Sequence, residues 1–392
     1  MVDAARGAEG KAWRPPALLA SVVAGGLGSL WLLRPDAYPF GHVDRVTVSV
    51  THRIEHAAAG RLLMASALLG LLIVTIAAVR TTPGVERAIL AVAAAQTLFF
   101  GLVMTDASIM SLLGYAVAFA GPVIVTSAIV AACLRGNAFG YVAAAIALSL
   151  VGIGVAVGFL RPRVISTFWR NVSHSFASFG ERLGWALLMA VLAALWGWVA
   201  VRLVRRSRYA TSAAFSRPEG IPRWGRVVTI AAAVCPLPYA CLRLLWLTPW
   251  ALDLRADMDR AEVRMQGAFL GVAALVGCLL TFGLISRWGE IFPRWLPIVG
   301  GHPVPALLAV VPGTLVAAAA TMAGPGLLLS SIDSNGAGDG LAGVALTLLI
   351  FPFPIWGPLL GAAVLAYHLR RSTGPVTAVQ GTLAAEVTTH HG

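Results

Sequence analysis

His52, Glu55 and His56 are the residues of this chain whose types and spacing best suit metal chemistry. They match the pattern H-x-x-E-H, in which two histidines bind zinc and the glutamate acts as a base. On a helix, the two histidines would share one face, as two ligands of one ion must. His42 and Asp44 are nearby, but no clear third ligand stands out. The pattern leaves two interpretations open, a metal site and a solvated loop that matches by chance.

Arg243 is the second candidate for chemistry, because it is the one basic residue that lies more than two residues from either end of a predicted membrane segment. An ionisable side chain within a membrane span is a functional candidate by default. The predicted ligand-binding group consists of Arg243, Tyr239, Trp31, Trp246, Asp36 and Asp253. The alternative is that Arg243, close to the outer end of its segment, extends to the lipid headgroups. The tryptophans and the tyrosine would then form an interfacial aromatic belt.

Glycine and proline clusters predict breaks within three membrane segments. Proline removes an amide donor and frees a carbonyl one turn earlier. A bilayer tolerates such freed groups only where protein or water satisfies them, so breaks indicate a binding cavity. The predicted breaks lie at Gly25, Gly26, Gly28, Pro236, Pro238, Pro352 and Pro354. We expect the Arg243 side chain to point toward the segments that hold the glycine cluster or the Pro352 cluster.

The composition assigns these residues to a membrane protein. The chain has 392 residues, of which 58% are hydrophobic and 12% are charged; a soluble domain carries about twice that charged fraction. A helix that spans a bilayer needs about 20 apolar residues, and such runs recur along the chain. The net charge of +12 is explained by arginines in cytoplasmic loops, so no nucleic-acid partner is predicted. No cofactor motif is present, and a P-loop is absent.

Ten apolar runs predict an all-α, polytopic transmembrane helix bundle of about ten helices, forming one integral membrane domain over 1–392. The runs are called segments 1 to 10 and cover 16–33, 61–79, 87–105, 113–134, 140–160, 183–204, 226–248, 263–285, 303–324 and 343–369. Two stretches between segments have patterns of their own. Apolar residues recur every three or four positions over 164–179, which predicts an interfacial amphipathic helix or an early start of segment 6. Arg45–Thr51 alternates valine with polar residues, and this pattern fits a short strand or an irregular helix.

Charge predicts the orientation. With the N-terminus inside, 17 of the 29 Lys and Arg residues fall on the cytoplasmic side of the membrane. The cytoplasmic stretches have a large excess of basic over acidic residues, whereas the outer stretches carry equal numbers of the two. This asymmetry follows the positive-inside rule. We therefore expect both termini to be cytoplasmic, in a bacterial cytoplasmic membrane.

Short matches along the chain indicate an internal duplication. Segments 1 and 7 both end in a Leu-Trp-Leu run, and Gly121-Pro122 in segment 4 corresponds to Gly357-Pro358 in segment 10. The predicted halves are 16–135 and 226–371, joined by 140–204. Because the offset is six segments, the halves would be parallel, related by an axis along the membrane normal. The alternative is that Leu, Trp, Gly and Pro simply recur at helix ends.

Glycine pairs four residues apart predict close helix contacts. Gly267 with Gly271 and Gly357 with Gly361 follow this spacing, as does Gly154 with Gly158. Small residues at this spacing let two helix backbones approach each other in a membrane.

Two stretches of the second half resemble a known group. The run Arg243–Trp246 (RLLW) and the run Trp288–Pro297 (WGEIFPRWLP) resemble signatures of multi-pass actinobacterial membrane proteins. That group has no assigned activity, so the resemblance implies a polytopic topology and no chemistry.

Three functions are compatible with the sequence. The broken segments favour a permease or efflux component for a small or lipophilic solute. The shortage of ionisable residues within the segments favours an accessory membrane subunit that binds another subunit. The H-x-x-E-H pattern favours a membrane-embedded enzyme with an outer-face site. All three share the lipid bilayer as a partner.

Overall fold

The computed structural model describes residues 12–40, 49–79, 82–156, 158, 161–206, 221–248, 261–294, 296, 300–334 and 340–389. Twelve helices of nine or more residues form the fold of this described part. They are α1 (Arg14–Leu33), α2 (His56–Val79), α3 (Pro83–Leu98), α4 (Ser108–Leu134), α5 (Ala138–Ala156), α6 (Pro162–Arg206), α7 (Ile221–Val234), α8 (Leu237–Leu245), α9 (Ala261–Gly283), α10 (Ala306–Ser334), α11 (Gly340–Ile350) and α12 (Phe353–Thr389). A π-helical turn, Phe99–Val103, extends α3.

The predicted all-α helix bundle is confirmed, and each of the ten segments lies on helix. Among the described residues, eight stretches are long and apolar enough to cross a membrane. A further pair, Ala342–Ile350 with Phe353–Ser372, is bent by 46° and also passes if counted as one span. The remaining segment lies on α4, in which Ala120–Leu134 forms a shorter apolar stretch.

Apolar side chains cover the outside of the helices. Leu68 on α2, Ile124 on α4 and Leu279 on α9 each expose about 60% or more of their surface. A helix that is apolar on every face belongs in lipid, because water would not solvate its outer side. The chain is therefore a multi-pass membrane protein.

The chain divides into two compact units. The first unit comprises the described residues within 1–111, 179–216 and 322–344. In this unit, α1 packs closely along α2, with alanines at the contact and Trp31, Trp196 and Phe100 filling the core. Ser66 and Gln96 form two hydrogen bonds with each other in this unit. The Ser66 hydroxyl donates to the side-chain oxygen of Gln96 at 2.6 Å, and the side-chain amide of Gln96 donates to the Ser66 backbone carbonyl at 2.8 Å.

The second unit comprises the described residues within 112–178, 217–321 and 345–392. Its core lies where α7 and α10 meet α12, around Leu360, Val364 and Tyr367. Two α12 side chains tie this core to the chain between α9 and α10. The Tyr367 hydroxyl donates to the Gly289 carbonyl at 2.9 Å, and Arg370 pairs with Glu290 at 3.0 Å.

The predicted break at Gly25, Gly26 and Gly28 is wrong, because α1 continues through all three glycines. Gly28 serves packing instead. A Cβ on Gly28 would lie 2.8 Å from the Gly60 carbonyl oxygen of α2. The cluster therefore allows two backbones to approach each other, which is the other use of glycine in membrane helices.

The proline clusters do coincide with helix ends. α7 ends at Val234, and α8 begins at Leu237 after a turn at Cys235 and Pro236. Pro238 lies in the first turn of α8, where a missing amide costs little. α11 ends at Ile350 and α12 begins at Phe353, so Pro352 lies between them and Pro354 lies in the first turn of α12.

The stretch 164–179 is the start of α6, a single helix of 45 residues. The early start of segment 6 is thus what the structure has. The stretch Arg45–Thr51 lies mostly outside the described residues; of its described part, Ser49 forms an isolated bridge with Asp106. The boundaries of the two units differ from those of the predicted halves, and the duplication stays a prediction.

Candidate functional site

Arg182 and Asp106 form a buried ion pair in the first unit. Arg182 Nη2 lies 2.9 Å from Asp106 Oδ2, and Arg182 Nε donates to the same oxygen at 2.9 Å. The Asp106 side chain is fully buried, and that of Arg182 is 7% exposed. Asp106 Oδ1 accepts from the Ser108 amide at 2.6 Å. Both carboxylate oxygens are therefore satisfied, as a buried charge requires.

A second bond joins the same two stretches of chain. One turn after Arg182, the Trp185 indole donates from Nε1 to the Met104 carbonyl oxygen at 2.7 Å. Met104 immediately follows the π-helical turn and is fully buried. A π-helical turn lacks the regular bonding of an α-helix and is frequent at functional sites. α6 therefore holds the chain on the far side of this turn at two points, 104 and 106.

Four aromatic rings pack beside the ion pair. Trp31 of α1 lies 4.7 Å from Trp185 and 4.7 Å from Tyr38 between ring centroids, and Phe40 lies 5.8 Å from Trp185. The Tyr38 hydroxyl lies within hydrogen-bond distance of the Thr51 and Ile54 carbonyls, which share its one donor hydrogen. Arg182 lies 5.5 Å above the Phe40 ring. Tryptophan and tyrosine are the side chains that favour membrane interfaces, because they combine an apolar ring with one polar group.

A cleft of about 240 Å³ opens between α1 and α6 next to these rings. Its walls include Leu27, Leu30 and Trp31 from α1 and Gly184, Trp185 and Leu188 from α6. Gly184 has no side chain to fill the space between the helices. Trp31 and Trp185 thus belong to both the aromatic cluster and the cleft, and the cleft wall is otherwise apolar.

Arg243 lies in the second unit, and Trp31 lies in the first. The Arg243 guanidinium lies 4.1 Å from the Trp246 ring centroid and 5.1 Å from that of Tyr239. These three predicted site residues are therefore together, on α8 and at the residue that caps its C-terminal end. The Arg243 Cβ lies 3.1 Å from the position that a Cβ on Gly271 of α9 would take. The Arg243 guanidinium lies near the Tyr239 ring, which in turn lies 5.6 Å from the Phe351 ring of segment 10 between centroids. The expectation that the side chain points toward segment 1 or segment 10 stays a prediction.

Two acidic residues, Asp36 and Asp253, were grouped with Arg243 in the predicted ligand-binding site. Asp36 is exposed in the short 3-10 helix Pro35–Ala37 of the first unit. Asp253 lies outside the described residues.

The metal-site geometry expected for His52, Glu55 and His56 is not formed. Ile54 has an extended backbone, with φ −103° and ψ 125°, and α2 begins only at His56. The two histidines therefore do not share a helix face. Within the described part of the chain, no three His, Cys, Asp or Glu side chains cluster to hold a metal ion.

Sequence reasoning missed Arg182, which lies one residue before predicted segment 6. A signal for the pair was present in the sequence. Arg182 and Asp106 both lie at the predicted outer ends of their segments, and they carry opposite charges. The predicted close contacts are formed at two glycine pairs. A Cβ on Gly267 would overlap the Trp246 ring, and one on Gly357 would overlap the Thr321 backbone.

The comparisons with known proteins add no relative. The resemblance to actinobacterial membrane proteins therefore stays a prediction. Neither a family model, nor a curated protein, nor a solved structure matches this chain.

Proposed function

We propose that the protein is a permease or efflux component that binds a lipophilic solute in the cleft between α1 and α6. The cleft is the observation that carries the proposal. Its apolar wall favours hydrocarbon, since burial contributes roughly 25 cal/mol per Å² of apolar surface. Its volume is below the usual 300–1,000 Å³ range of drug-sized pockets. We therefore expect a slender occupant, such as part of an acyl chain, rather than a bulky ring system.

The aromatic cluster supports an amphiphilic solute. Trp31 and Trp185 lie where the apolar cleft meets the buried ion pair and the Tyr38 hydroxyl. A solute with a hydrocarbon tail and a polar end would bury its tail between the helices. Its polar end would remain at the level of the interfacial rings.

The link from the cleft to the π-helical turn supports passage as well as binding. Trp185 contributes to the cleft wall and at the same time bonds to the Met104 carbonyl. A solute that displaces the indole would loosen that bond at the end of the π-helical turn. Binding in the cleft would thereby change the position of the chain that follows α3.

A pair of neighbouring residues on α6 provides the test. Leu188 contributes to the cleft, whereas Leu187 is 50% exposed and faces away from the core. Leu188→Trp should fill the cleft, and Leu187→Trp should not. We would reconstitute both variants in vesicles with a fluorophore-labelled phospholipid and measure how much label a membrane-impermeant quencher reaches. We expect the wild type and Leu187→Trp to accelerate the movement of the labelled phospholipid across the bilayer, and Leu188→Trp to lose this activity.

If the labelled phospholipid crossed the bilayer as fast with Leu188→Trp as with the wild type, the cleft would not be the route. Binding without any passage would favour the second function, an accessory subunit. One observation supports that alternative. Only 6% of the apolar window of α5 is buried, whereas 22–33% is buried in the other seven long spans. A partner subunit or lipid must cover α5.

A further inference from the structure

We infer that Arg243 and Arg264 form a binding site for a phosphate group at the end of α8. This inference concerns the second unit and is independent of the cleft. The site is built around one residue, Trp246, which contacts both arginines. The ligand class follows from the charge, the donors and the fixed positions of the two guanidinium groups.

The Arg243 guanidinium is held by rings rather than by an acid. It lies over Trp246 and near Tyr239, one turn away on each side, and is half-buried. Stacking covers a flat face of the guanidinium and leaves the N–H groups along its edge able to donate hydrogen bonds to a ligand. Among the described residues, no acceptor lies within hydrogen-bond distance of that edge.

Arg264 of α9 bonds to the backbone of Trp246 rather than to its ring. Its Nε donates to the Trp246 carbonyl at 2.9 Å, and its Nη2 donates to the Leu247 carbonyl at 3.1 Å. These bonds satisfy two carbonyls of the turn that follows α8, as basic side chains near a helix C-terminus often do. They use two of the five N–H donors of an arginine, so the group retains donors for a ligand.

Close packing makes the site rigid. Gly267 of α9 lies against the Trp246 ring, and Gly271 lies against the base of Arg243. Because neither glycine has a Cβ, α9 comes near enough for Arg264 to reach the Trp246 carbonyl. The Trp246 ring is nearly buried. The two cations are therefore positioned in advance, which reduces the entropy that a ligand must overcome.

The two charges lack a counter-ion in the described part of the chain. There, no carboxylate lies within 4 Å of either guanidinium, whereas Arg182 and Arg370 each have one. Arg243 lies over the Trp246 ring and Arg264 bonds to the Trp246 carbonyl, so the positive field of both groups attracts an anion to the end of α8. Phosphate suits the pair because arginine binds it bidentately, and two arginines match its several oxygens. Both an anionic lipid headgroup and free phosphate carry this group.

Binding to purified protein in detergent tests the inference. We would measure the thermal midpoint of unfolding and the bound mass with phosphatidylglycerol, with zwitterionic phosphatidylcholine and with inorganic phosphate. The variants are Arg243→Gln, Arg264→Gln and Arg243→Lys. Arg61→Gln is the matched control, because Arg61 is exposed and donates to the Ala57 carbonyl one turn earlier on α2.

We expect phosphatidylglycerol to bind the wild type and Arg61→Gln equally, and to bind Arg243→Gln and Arg264→Gln about tenfold or more weakly. Arg243→Lys should recover part of the affinity, since lysine keeps the charge and loses the planar fork. Lipid binding without phosphate binding assigns the site to a headgroup. Binding of both, with the same loss in the variants, assigns it to any phosphate.

Lipid and phosphate affinities that are the same in Arg243→Gln, Arg264→Gln and Arg61→Gln would overturn the inference. If a glutamine variant does not fold, Arg243→Lys decides the matter. Its affinity for phosphate-bearing ligands must then fall below that of the wild type. Passage through the cleft is measured separately with Leu188→Trp, so each proposal fails independently of the other.

Discussion

The two units place the same short pattern, Arg-Leu-x-Trp, in different environments. In the first unit, residues 182–185 carry it, and in the second unit residues 243–246 carry it. Arg182 is buried against Asp106, and Trp185 donates to the Met104 carbonyl. Arg243 is half-buried and stacks on Trp246 itself. Arg182 is paired with a carboxylate, whereas Arg243 has no carboxylate partner within the described part of the chain.

The difference shows that a neighbouring carboxylate decides the role of a membrane arginine. Asp106 supplies the counter-charge to Arg182 from a distant part of the chain, 76 residues away. Removing one member of a buried pair leaves an uncompensated charge, whereas the exposed edge of Arg243 can be solvated. The first pattern therefore contributes to folding, and the second is suited to binding.

The largest effect should come from Asp106→Asn. It leaves the Arg182 charge buried without a carboxylate, and we expect a loss of about 3–5 kcal/mol in the free energy of unfolding. Denaturant titration of the purified protein in detergent measures this loss. The double variant Asp106→Leu/Arg182→Leu should recover much of it. If the single variant were as stable as the wild type, the ion pair would not be structural and the comparison would fail.

The next effect concerns the glycines of α9. Gly267→Ala places a methyl group in the Trp246 ring, and we expect it to cost about 1–3 kcal/mol. Gly277→Ala on the same helix is the matched control, because nothing lies within 4 Å of its Cβ position. Thermal unfolding of both variants gives the comparison. Equal stability of the two variants would show that α9 does not pack against Trp246.

The two tryptophans should then differ. Trp185→Phe keeps an aromatic ring but leaves the buried Met104 carbonyl without its donor, at a cost of about 1–3 kcal/mol. Trp246→Phe keeps the ring under Arg243, and the backbone bond from Arg264 is unaffected. We therefore expect a smaller loss for Trp246→Phe in the same denaturant titration. A larger loss for Trp246→Phe would reverse the roles assigned to the two units.

The smallest effect on stability should come from Arg243→Gln. The variant gives up a partly exposed cation–π contact, which contributes about 0.5–1 kcal/mol. It should unfold at nearly the wild-type denaturant concentration while losing affinity for phosphatidylglycerol. A loss as large as that of Asp106→Asn would mean that Arg243 is a structural residue after all.

Much of the fold was predictable, because apolar run length determines where membrane helices lie. All ten segments coincide with helices, and the break at Pro236 followed from the missing amide. The glycine cluster of α1 was misread, since glycine both weakens a helix and allows close packing, and only the nearby Gly60 backbone decides between these uses. Local pattern likewise cannot predict that Ile54 is extended and separates the two histidines.

The candidate site was predictable only in part. Trp31, Tyr239, Trp246 and Arg243 can be selected by type and by depth in the segments, and their role in binding stays a prediction. The pairing of Arg182 with Asp106 depends on which segments are neighbours, and hydropathy carries no such information. The cleft depends on the shapes of two helices at once, and Gly184 marks it only when α1 is known to lie opposite.

The most direct test of the central claim, that the cleft between α1 and α6 holds a lipophilic molecule, is photolabelling. Purified protein in lipid nanodiscs would be irradiated with a diazirine-bearing fatty acid, and the labelled residues would be mapped by mass spectrometry. We expect the label to be concentrated on the α1 and α6 residues of the cleft wall, to be retained in Leu187→Trp and to be lost in Leu188→Trp. Label spread over exposed helices such as α5, and unchanged by Leu188→Trp, would contradict it.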